Sequence, residues 1–206
     1  MKKMFLLPIL CLSWGLLCMD QSHAQLVGGP CEGCEAVLEY GDQSLQAVDT
    51  LPGFEKFGPK LLVSGTIFQK DGISPASDVI LYVYHTNRKG IYETRGNETG
   101  WGRYHGIYRG WLKTGKDGCY QFYTFRPAAY PTGGEPEHIH LTVKEPSKNE
   151  YYIDSIVFED DPLLTKKERK EMKNRGGSGI VSPSKQGEMY LLHRDIVLGL
   201  NIPHYK

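Results

Sequence analysis

The chain lacks an excess of charge of either sign, and it lacks long apolar runs beyond its first residues. It has 24 Lys and Arg residues against 24 Asp and Glu residues, so its formal net charge is zero. A neutral chain has no single-sign field that would attract nucleic acid or an anionic membrane. We therefore expect no nucleic-acid partner and no transmembrane segment in the mature protein.

The apolar run at the N-terminus, Met4–Leu17, follows a short basic start. It is too short to span a bilayer comfortably, and Ser22-His23-Ala24 supplies small residues at the usual cleavage spacing. We predict that residues 1–24 are a signal peptide and that the protein is exported, to the periplasm or the extracellular space. The alternative is a lipoprotein signal that uses Cys18.

Cysteine is scarce after the predicted cleavage site, where only Cys31, Cys34 and Cys119 remain. Cys31 and Cys34 form a Cys-x-x-Cys pair, which we interpret as a local disulfide because the compartment is oxidising. A zinc site would need two further ligands, and a thioredoxin-type site would need a strand-to-helix context. Cys119 lies in a strand pattern and is predicted to be a buried free thiol.

Most of the chain after residue 57 is predicted to form short β-strands separated by turns. The segments rich in β-branched or aromatic residues are Leu61–Phe68, Asp78–His85, Cys119–Phe125, His138–Val143, Tyr151–Phe158 and Tyr190–Leu198. Repeated short strands without alternating helices predict an all-β fold over residues 58–206, an antiparallel β-sandwich or barrel and not a parallel sheet. Residues 25–57 show little periodicity and are predicted to form an extended N-terminal arm.

One helix and one long aromatic loop interrupt the strands. Thr165 and Glu168 make a capping-box pattern, which predicts a short surface helix over Lys166–Asn174 that Gly176-Gly177 ends. The loop Thr86–Lys116 has few strand signals but too many aromatic residues for disorder. Loops of this length in a compact domain are usually functional.

His138 and His140 are the most specific chemical signal in the chain. Side chains alternate faces along a strand, so histidines at i and i+2 point the same way and can hold one metal ion. Taken alone, the pair is explained equally well by two histidines on a half-buried face. Tyr130-Pro131 lies shortly before the pair and supplies a further candidate donor.

The segments around these histidines resemble the intradiol ring-cleavage dioxygenases, especially the protocatechuate dioxygenase group and its secreted relatives. The similarity extends from about Leu61 to Leu198. The motifs that carry it are Val83-Tyr84-His85-Thr86-Asn87 with Gly90-Ile91-Tyr92, Asp117–Phe122, Arg126–Pro131, Glu135–Leu141 and Val157–Pro162. Several ordered motifs in one chain are much stronger than one, and they imply a prealbumin-like β-sandwich.

The resemblance implies one ferric ion, Fe(3+), with Tyr92, Tyr130, His138 and His140 as its protein ligands. It implies an oxidoreductase of aromatic-compound catabolism that uses O2 to open a small aromatic diol between its two hydroxyl-bearing carbons. Tyr130 would leave the metal when the catechol chelates it. Ferric iron is a hard acid, which suits phenolate oxygens, and imidazole nitrogens complete the shell. The Cys31–Cys34 disulfide is expected to be remote from the iron chemistry, and a homo-oligomer is left open.

Two positions depart from the family pattern. Glu135 stands where characterised members carry an arginine, and Ser155 lies roughly where they carry a glutamine. An acidic residue would not stabilise negative charge that develops on the substrate ring. The candidate substitutes are Arg103, Arg109 and Arg126. Two other classes stay open: a non-catalytic β-sandwich binding module, and a copper or zinc protein built on the His-x-His pair.

Overall fold

The computed structural model describes residues 26–206, so the predicted signal peptide at residues 1–24 lies outside the described residues. The described chain forms two β-sheets that pack face to face. The strands are β1 (Val48–Thr50), β2 (Lys60–Phe68), β3 (Ile80–Tyr84), β4 (Arg109–Lys113), β5 (Cys119–Phe125), β6 (His138–Lys144), β7 (Tyr151–Phe158), β8 (Ile180–Val181), β9 (Ser184–Gln186), β10 (Met189–His193) and β11 (Ile196–Val197).

The strand order confirms the predicted all-β sandwich but corrects its description as antiparallel. One sheet has the order β1-β5-β2-β10-β9, with β11 also paired to β2, and the other has the order β4-β3-β6-β7-β8. The central pairs β2–β5, β3–β6 and β6–β7 are antiparallel. The pairs β1–β5, β2–β10, β2–β11 and β7–β8 are parallel, so both sheets are mixed. Long connections between these strands permit parallel pairing, which a hairpin does not.

The core lies between the two sheets because their strands alternate buried and less buried residues. Along β2, Leu61, Val63 and Ile67 are fully buried. Phe122 from β5 and Ile139 from β6 join the same apolar cluster. Burying one such side chain contributes roughly 1.5–3 kcal/mol. Because Ile139 faces this core, its neighbours His138 and His140 are directed to the opposite face of β6.

The predicted N-terminal arm covers the outer face of the second sheet. Its 3-10 helix, Cys34–Leu38, contributes Ala36 and Val37 to a small apolar cluster with Tyr82 and Trp111. The indole N–H of Trp111 donates to the Ala36 carbonyl at 3.0 Å, which attaches the arm to β4.

The predicted disulfide between Cys31 and Cys34 is present. Cys119 is a free thiol as predicted, but it is exposed. The prediction of its burial is wrong because Cys119 opens β5 with its side chain on the solvent side, whereas the next residue, Tyr120, is buried.

The described chain has two short α-helices, α1 (Gly102–His105) and α2 (Lys166–Glu171). Helix α2 is the predicted surface helix, and Thr165 caps it by accepting the backbone N–H of Glu168 at 3.2 Å. It ends earlier than predicted because Met172 is extended.

The segment Thr86–Lys116 is not one irregular loop, because it contains both α1 and β4. Between residues 26 and 206, neither helix is long and apolar enough to cross a membrane.

Candidate metal centre

The two histidines of the candidate centre begin strand β6. The pairing of β6 with β7 shifts register between Ile139 and Leu141, where Asp154 and Ser155 of β7 together oppose the single residue His140. Such a bulge bends a strand and redirects its side chains. Both residues of the bulge therefore lie beside His140.

Tyr92 follows a tight turn that Asn87 organises. The Asn87 side-chain oxygen accepts the backbone N–H groups of Lys89 at 2.8 Å and Ile91 at 3.1 Å. Gly90 within this turn has φ 74°, a conformation that favours glycine. A Cβ atom at Gly90 would collide with the carbonyl oxygen of Ala129. The turn thus brings Tyr92 close to the segment that carries Tyr130.

Hydrogen bonds hold the two tyrosine-bearing segments together. The Thr86 hydroxyl donates to the Ala128 carbonyl at 2.7 Å, and the backbone N–H of Ala128 donates to the Asn87 carbonyl at 3.2 Å. The Arg88 guanidinium adds a bond to the Arg126 carbonyl at 2.9 Å. Because these hydrogen bonds join residues 86–92 and 126–130 into one unit, they set the relative positions of Tyr92 and Tyr130.

The four predicted site residues bring their donor atoms into one small cluster. Tyr92 Oη lies 2.5 Å from Tyr130 Oη and 2.8 Å from His140 Nε2. Tyr130 Oη lies 3.2 Å from the Nε2 atoms of both His138 and His140. The two Nε2 atoms are 3.0 Å apart. Four side chains from three segments therefore point their donor atoms at a common point.

These separations fit four donors of one metal ion. Ligands at right angles around an ion with bonds of about 2.0–2.1 Å stand about 2.9 Å apart. The measured separations, from 2.5 to 3.2 Å, lie on both sides of that value. Across residues 26–206, no group of three or more His, Cys, Asp and Glu side chains is arranged to hold a metal, so this centre depends on its two phenols.

The protonation of the cluster also fits a cation. His138 Nδ1 lies 2.7 Å from the Pro136 carbonyl, which can only accept, so Nδ1 carries the proton and Nε2 presents its lone pair to the cluster. Burial lowers the pKa of His140 well below its usual value. Burial also raises the pKa values of Tyr92 and Tyr130. Both phenols therefore keep their protons unless a positive charge binds between them.

An ion-pair network attaches the histidine segment to the Tyr130 segment. Arg126 Nε lies 2.5 Å from the Glu137 carboxylate, and Arg126 Nη2 lies 2.8 Å from Asp160. Buried Asp161 accepts the backbone N–H of Glu137 at 2.6 Å. The acidic turn that follows β7 thus positions the residues that precede His138.

An aromatic stack supports His140, and sequence reasoning assigned no role to it. The rings of Tyr84 and His140 stack with centroids 4.5 Å apart, and His105 stacks on Tyr84 at 3.9 Å. Burial lowers the pKa of His105 to about 4, with Arg109 adding to the effect, so its ring stays neutral at physiological pH. The feature that identifies Tyr84 as a support for His140 is the strand pairing, because Tyr84 lies opposite His140 in the β3–β6 register.

A cavity of about 430 Å³ opens beside His138 and His140, and both Glu135 and Ser155 line it. None of the three arginines named above as candidate substitutes lines this cavity. Arg103 bonds the Glu98 carbonyl at 3.0 Å, and Arg109 pairs with Glu39 at 2.7 Å. Arg126 is held by its two carboxylates.

A second cavity, of about 250 Å³, shares His140 and Ser155 with the first. The disulfide loop Cys31–Gly33 forms part of its wall. The expectation that the disulfide is remote from the candidate centre is therefore wrong.

Known proteins show the same fold and related sequences. A family model described as Dioxygenase matches residues 38–175. Catechol 1,2-dioxygenase 1 of Acinetobacter lwoffii is 30% identical over 129 residues, which is 53% of this chain and 39% of that protein. The protocatechuate 3,4-dioxygenase beta chain of Burkholderia cepacia is 26% identical over 145 residues, which is 61% of this chain and 58% of that one. The alignments thus span less than two thirds of the length of both curated relatives.

Solved structures agree on the fold. The dioxygenase domain of a carbohydrate-binding fusion protein from Streptomyces sp. SirexAA-E superposes with a TM-score of 0.57 at 22% identity, over 78% of this chain and 94% of that one. The 3-chlorocatechol 1,2-dioxygenase of Rhodococcus opacus 1CP gives 0.58 at 16% identity, over 84% and 71%. The family match covers most of the sandwich and all four predicted site residues. This chain belongs to the intradiol dioxygenase family.

Proposed function

We propose that the protein is a non-haem ferric dioxygenase that opens a catechol-type ring between its two hydroxyl-bearing carbons. The convergence of two phenol oxygens and two imidazole nitrogens, in which five of the six atom pairs are separated by 3.2 Å or less, carries this proposal. Membership of the intradiol dioxygenase family supports it. The signal-like residues 1–24 add the proposal that it acts outside the cytoplasm.

Tyr92, Tyr130, His138 and His140 would hold the ferric ion. When bound, the ion supplies Lewis-acid chemistry and a template on which the diol is oriented. His138 is preset for this role because the Pro136 carbonyl holds its Nδ1 proton. His140 is preset by its stack on Tyr84. Outer contacts of this kind fix the orientation of metal ligands.

Tyr130 would exchange with the substrate. It lies at the end of the segment that follows β5, and its neighbours Pro131 and Glu135 are exposed. Burial raises the pKa of the Tyr130 phenol, so its oxygen takes up a proton once no cation holds it. We infer that Tyr130 Oη accepts one proton from the incoming diol. Tyr92 would remain in place because the Asn87 turn anchors it.

The cavity beside the histidines would receive the aromatic ring. Pro136, Ile153 and Val157 give it apolar walls against which the ring would pack. The Ser155 hydroxyl supplies a polar group in this cavity beside His140, with Oγ 3.4 Å from Nδ1. The overall reaction adds both atoms of O2 to the diol, breaks the bond between its hydroxyl-bearing carbons and yields a diacid.

Oxygen uptake and product mass test the proposal. Protein loaded with ferric iron is given catechol in air-saturated buffer, and dissolved O2 is followed with an electrode. We expect one O2 consumed per catechol and a muconate-type diacid that carries both 18O atoms when the reaction is run in 18O2. Matched controls are the His138→Ala variant and Tyr104→Phe, since the Tyr104 side chain is 66% exposed and outside the cluster.

Loss of activity in His138→Ala with retention in Tyr104→Phe supports the proposal. Iron-loaded protein that consumes no O2 with catechol, hydroxyquinol or protocatechuate would overturn the enzymatic function. Incorporation of a single 18O atom into the product would indicate an oxidation other than the proposed ring cleavage.

A further inference from the structure

The cavity beside the candidate metal centre is surrounded by acidic side chains. Its lining includes four acidic residues, Glu135, Asp154, Glu168 and Glu171, and one lysine, Lys173. The adjoining smaller cavity adds Glu32 from the disulfide loop. The position next to the histidines therefore has an excess of negative charge in a chain whose formal net charge is zero.

The acidic residues of helix α2 face this cavity, whereas its basic residues do not. Its sequence, Lys166-Lys167-Glu168-Arg169-Lys170-Glu171, is mostly basic. Glu168 and Glu171 are three residues apart and so share one helix face. Both line the cavity, whereas the four basic residues of the helix do not. The acidic lining is thus a consequence of helix orientation and not of local composition.

Ion pairs among residues 26–206 leave most of this negative charge without a partner. Among residues 26–206, no basic side chain lies within 4.0 Å of the Glu135 or Glu168 carboxylate. Glu171 pairs with Lys167 only at 3.8 Å, on the exposed side.

We propose that this cavity selects catechols that carry a protonated amine on a short side chain over catechols that carry a carboxylate. This inference rests on the proposed function, because the two hydroxyl groups must bind at the His138–His140 end. The ring would lie against Pro136, Ile153 and Val157, and its substituent would extend towards α2. An ammonium group there gains from Glu168 and Glu171, and a carboxylate is repelled by them.

Three catechols that differ in the charge of a short side chain measure this selectivity. Iron-loaded protein is titrated without O2 with dopamine, neutral 4-propylcatechol and anionic 3-(3,4-dihydroxyphenyl)propanoate, and Kd is taken from the change in visible absorption. At low ionic strength we expect dopamine to bind about 10-fold more tightly than the neutral compound and the anion about 10-fold more weakly. Raising the salt concentration should reduce both ratios, since the carboxylates are partly exposed.

Two variants and one control test whether Glu168 and Glu135 cause the preference for dopamine. Glu168→Gln and Glu135→Gln should each reduce the preference for dopamine over 4-propylcatechol by about 3-fold, because each removes one partly screened charge. The matched control is Glu188→Gln, an exposed acid in the turn between β9 and β10 that lines neither cavity. It should leave the preference unchanged.

The outcomes separate this inference from the proposed function. Equal affinity for all three compounds, or a preference for the anion, overturns the charge selection and leaves ring cleavage intact. Charge-ordered binding without O2 uptake supports the selection and overturns the enzyme. Failure of every catechol to bind overturns both. A preference that survives both Glu→Gln changes assigns the selection to other groups and also contradicts the inference.

Discussion

The ion pair between Arg126 and Glu137 joins the two segments that carry the candidate ligands. Arg126 lies four residues before Tyr130, and Glu137 directly precedes His138. Their side chains are 17% and 22% exposed, and the Nε–Oε2 separation is 2.5 Å. Replacing Arg126 by Met should leave a largely buried carboxylate without its cation. We expect this change to lower both the stability and the affinity for metal.

The size of the effect follows from this burial. Breaking a fully buried pair costs 3–5 kcal/mol, and an exposed pair contributes about 0–1 kcal/mol. At roughly one fifth exposure we expect Arg126→Met to cost about 2 kcal/mol, with a coupling energy to Glu137 of about 1.5 kcal/mol. The pair Lys167–Glu171 is the matched control. Its atoms are 3.8 Å apart and its side chains are 76% and 59% exposed, so its coupling should stay below about 0.5 kcal/mol.

Two double-mutant cycles measure these energies. Urea unfolding is followed for the metal-free wild type, Arg126→Met, Glu137→Gln and their combination, and for the corresponding changes at Lys167 and Glu171. Iron affinity of Arg126→Met, measured against a competing chelator, should fall about 10-fold because the orientation of the ligand segments loosens. A coupling between Arg126 and Glu137 no larger than that of the control pair would refute the reasoning.

Three further results are expected. Burial lowers the pKa of His85 to about 4, so between pH 6.5 and pH 4 only the unfolded chain binds a proton at this histidine. Urea unfolding should therefore show that the wild type loses about 3 kcal/mol of stability as the pH falls through that range. The His85→Gln variant should not show this loss. Replacing Cys31 and Cys34 by Ser should cost less than about 3 kcal/mol and alter catechol affinity more than iron content, measured by titration and metal analysis. Mass spectrometry of exported protein should find Gln25 at the N-terminus, and an intact Met1 would contradict this.

The strands were predictable where alternation of apolar residues was strong. The predicted bounds Cys119–Phe125 and Tyr151–Phe158 agree with β5 and β7. Strand β4 was missed because its sequence, Arg109-Gly110-Trp111-Leu112-Lys113, has charged ends and a glycine, which lower its intrinsic β-propensity. Its pairing with β3 stabilises the strand in spite of this low propensity. The parallel pairs were missed for a related reason, since local sequence does not report which distant strand becomes a neighbour.

The candidate ligands were recognisable because their chemistry is carried by short motifs. The i, i+2 spacing of His138 and His140 and the motif around Tyr130 are local features, and the structure places their donor atoms together. The support of Tyr84 for His140 depends on the β3–β6 register, which the sequence alone does not reveal. The same holds for the disulfide loop, whose contact with the second cavity arises from the path of the arm.

Visible absorption together with iron content tests the central assignment most directly. Protein purified from an iron-supplemented source should contain about one ferric ion per chain and be coloured, because phenolate-to-iron charge transfer absorbs visible light. Tyr92→Phe and Tyr130→Phe should each change the spectrum, whereas Tyr104→Phe should preserve it. Colourless, iron-free protein after iron supplementation would contradict the account, and so would an unchanged spectrum in both Tyr92→Phe and Tyr130→Phe.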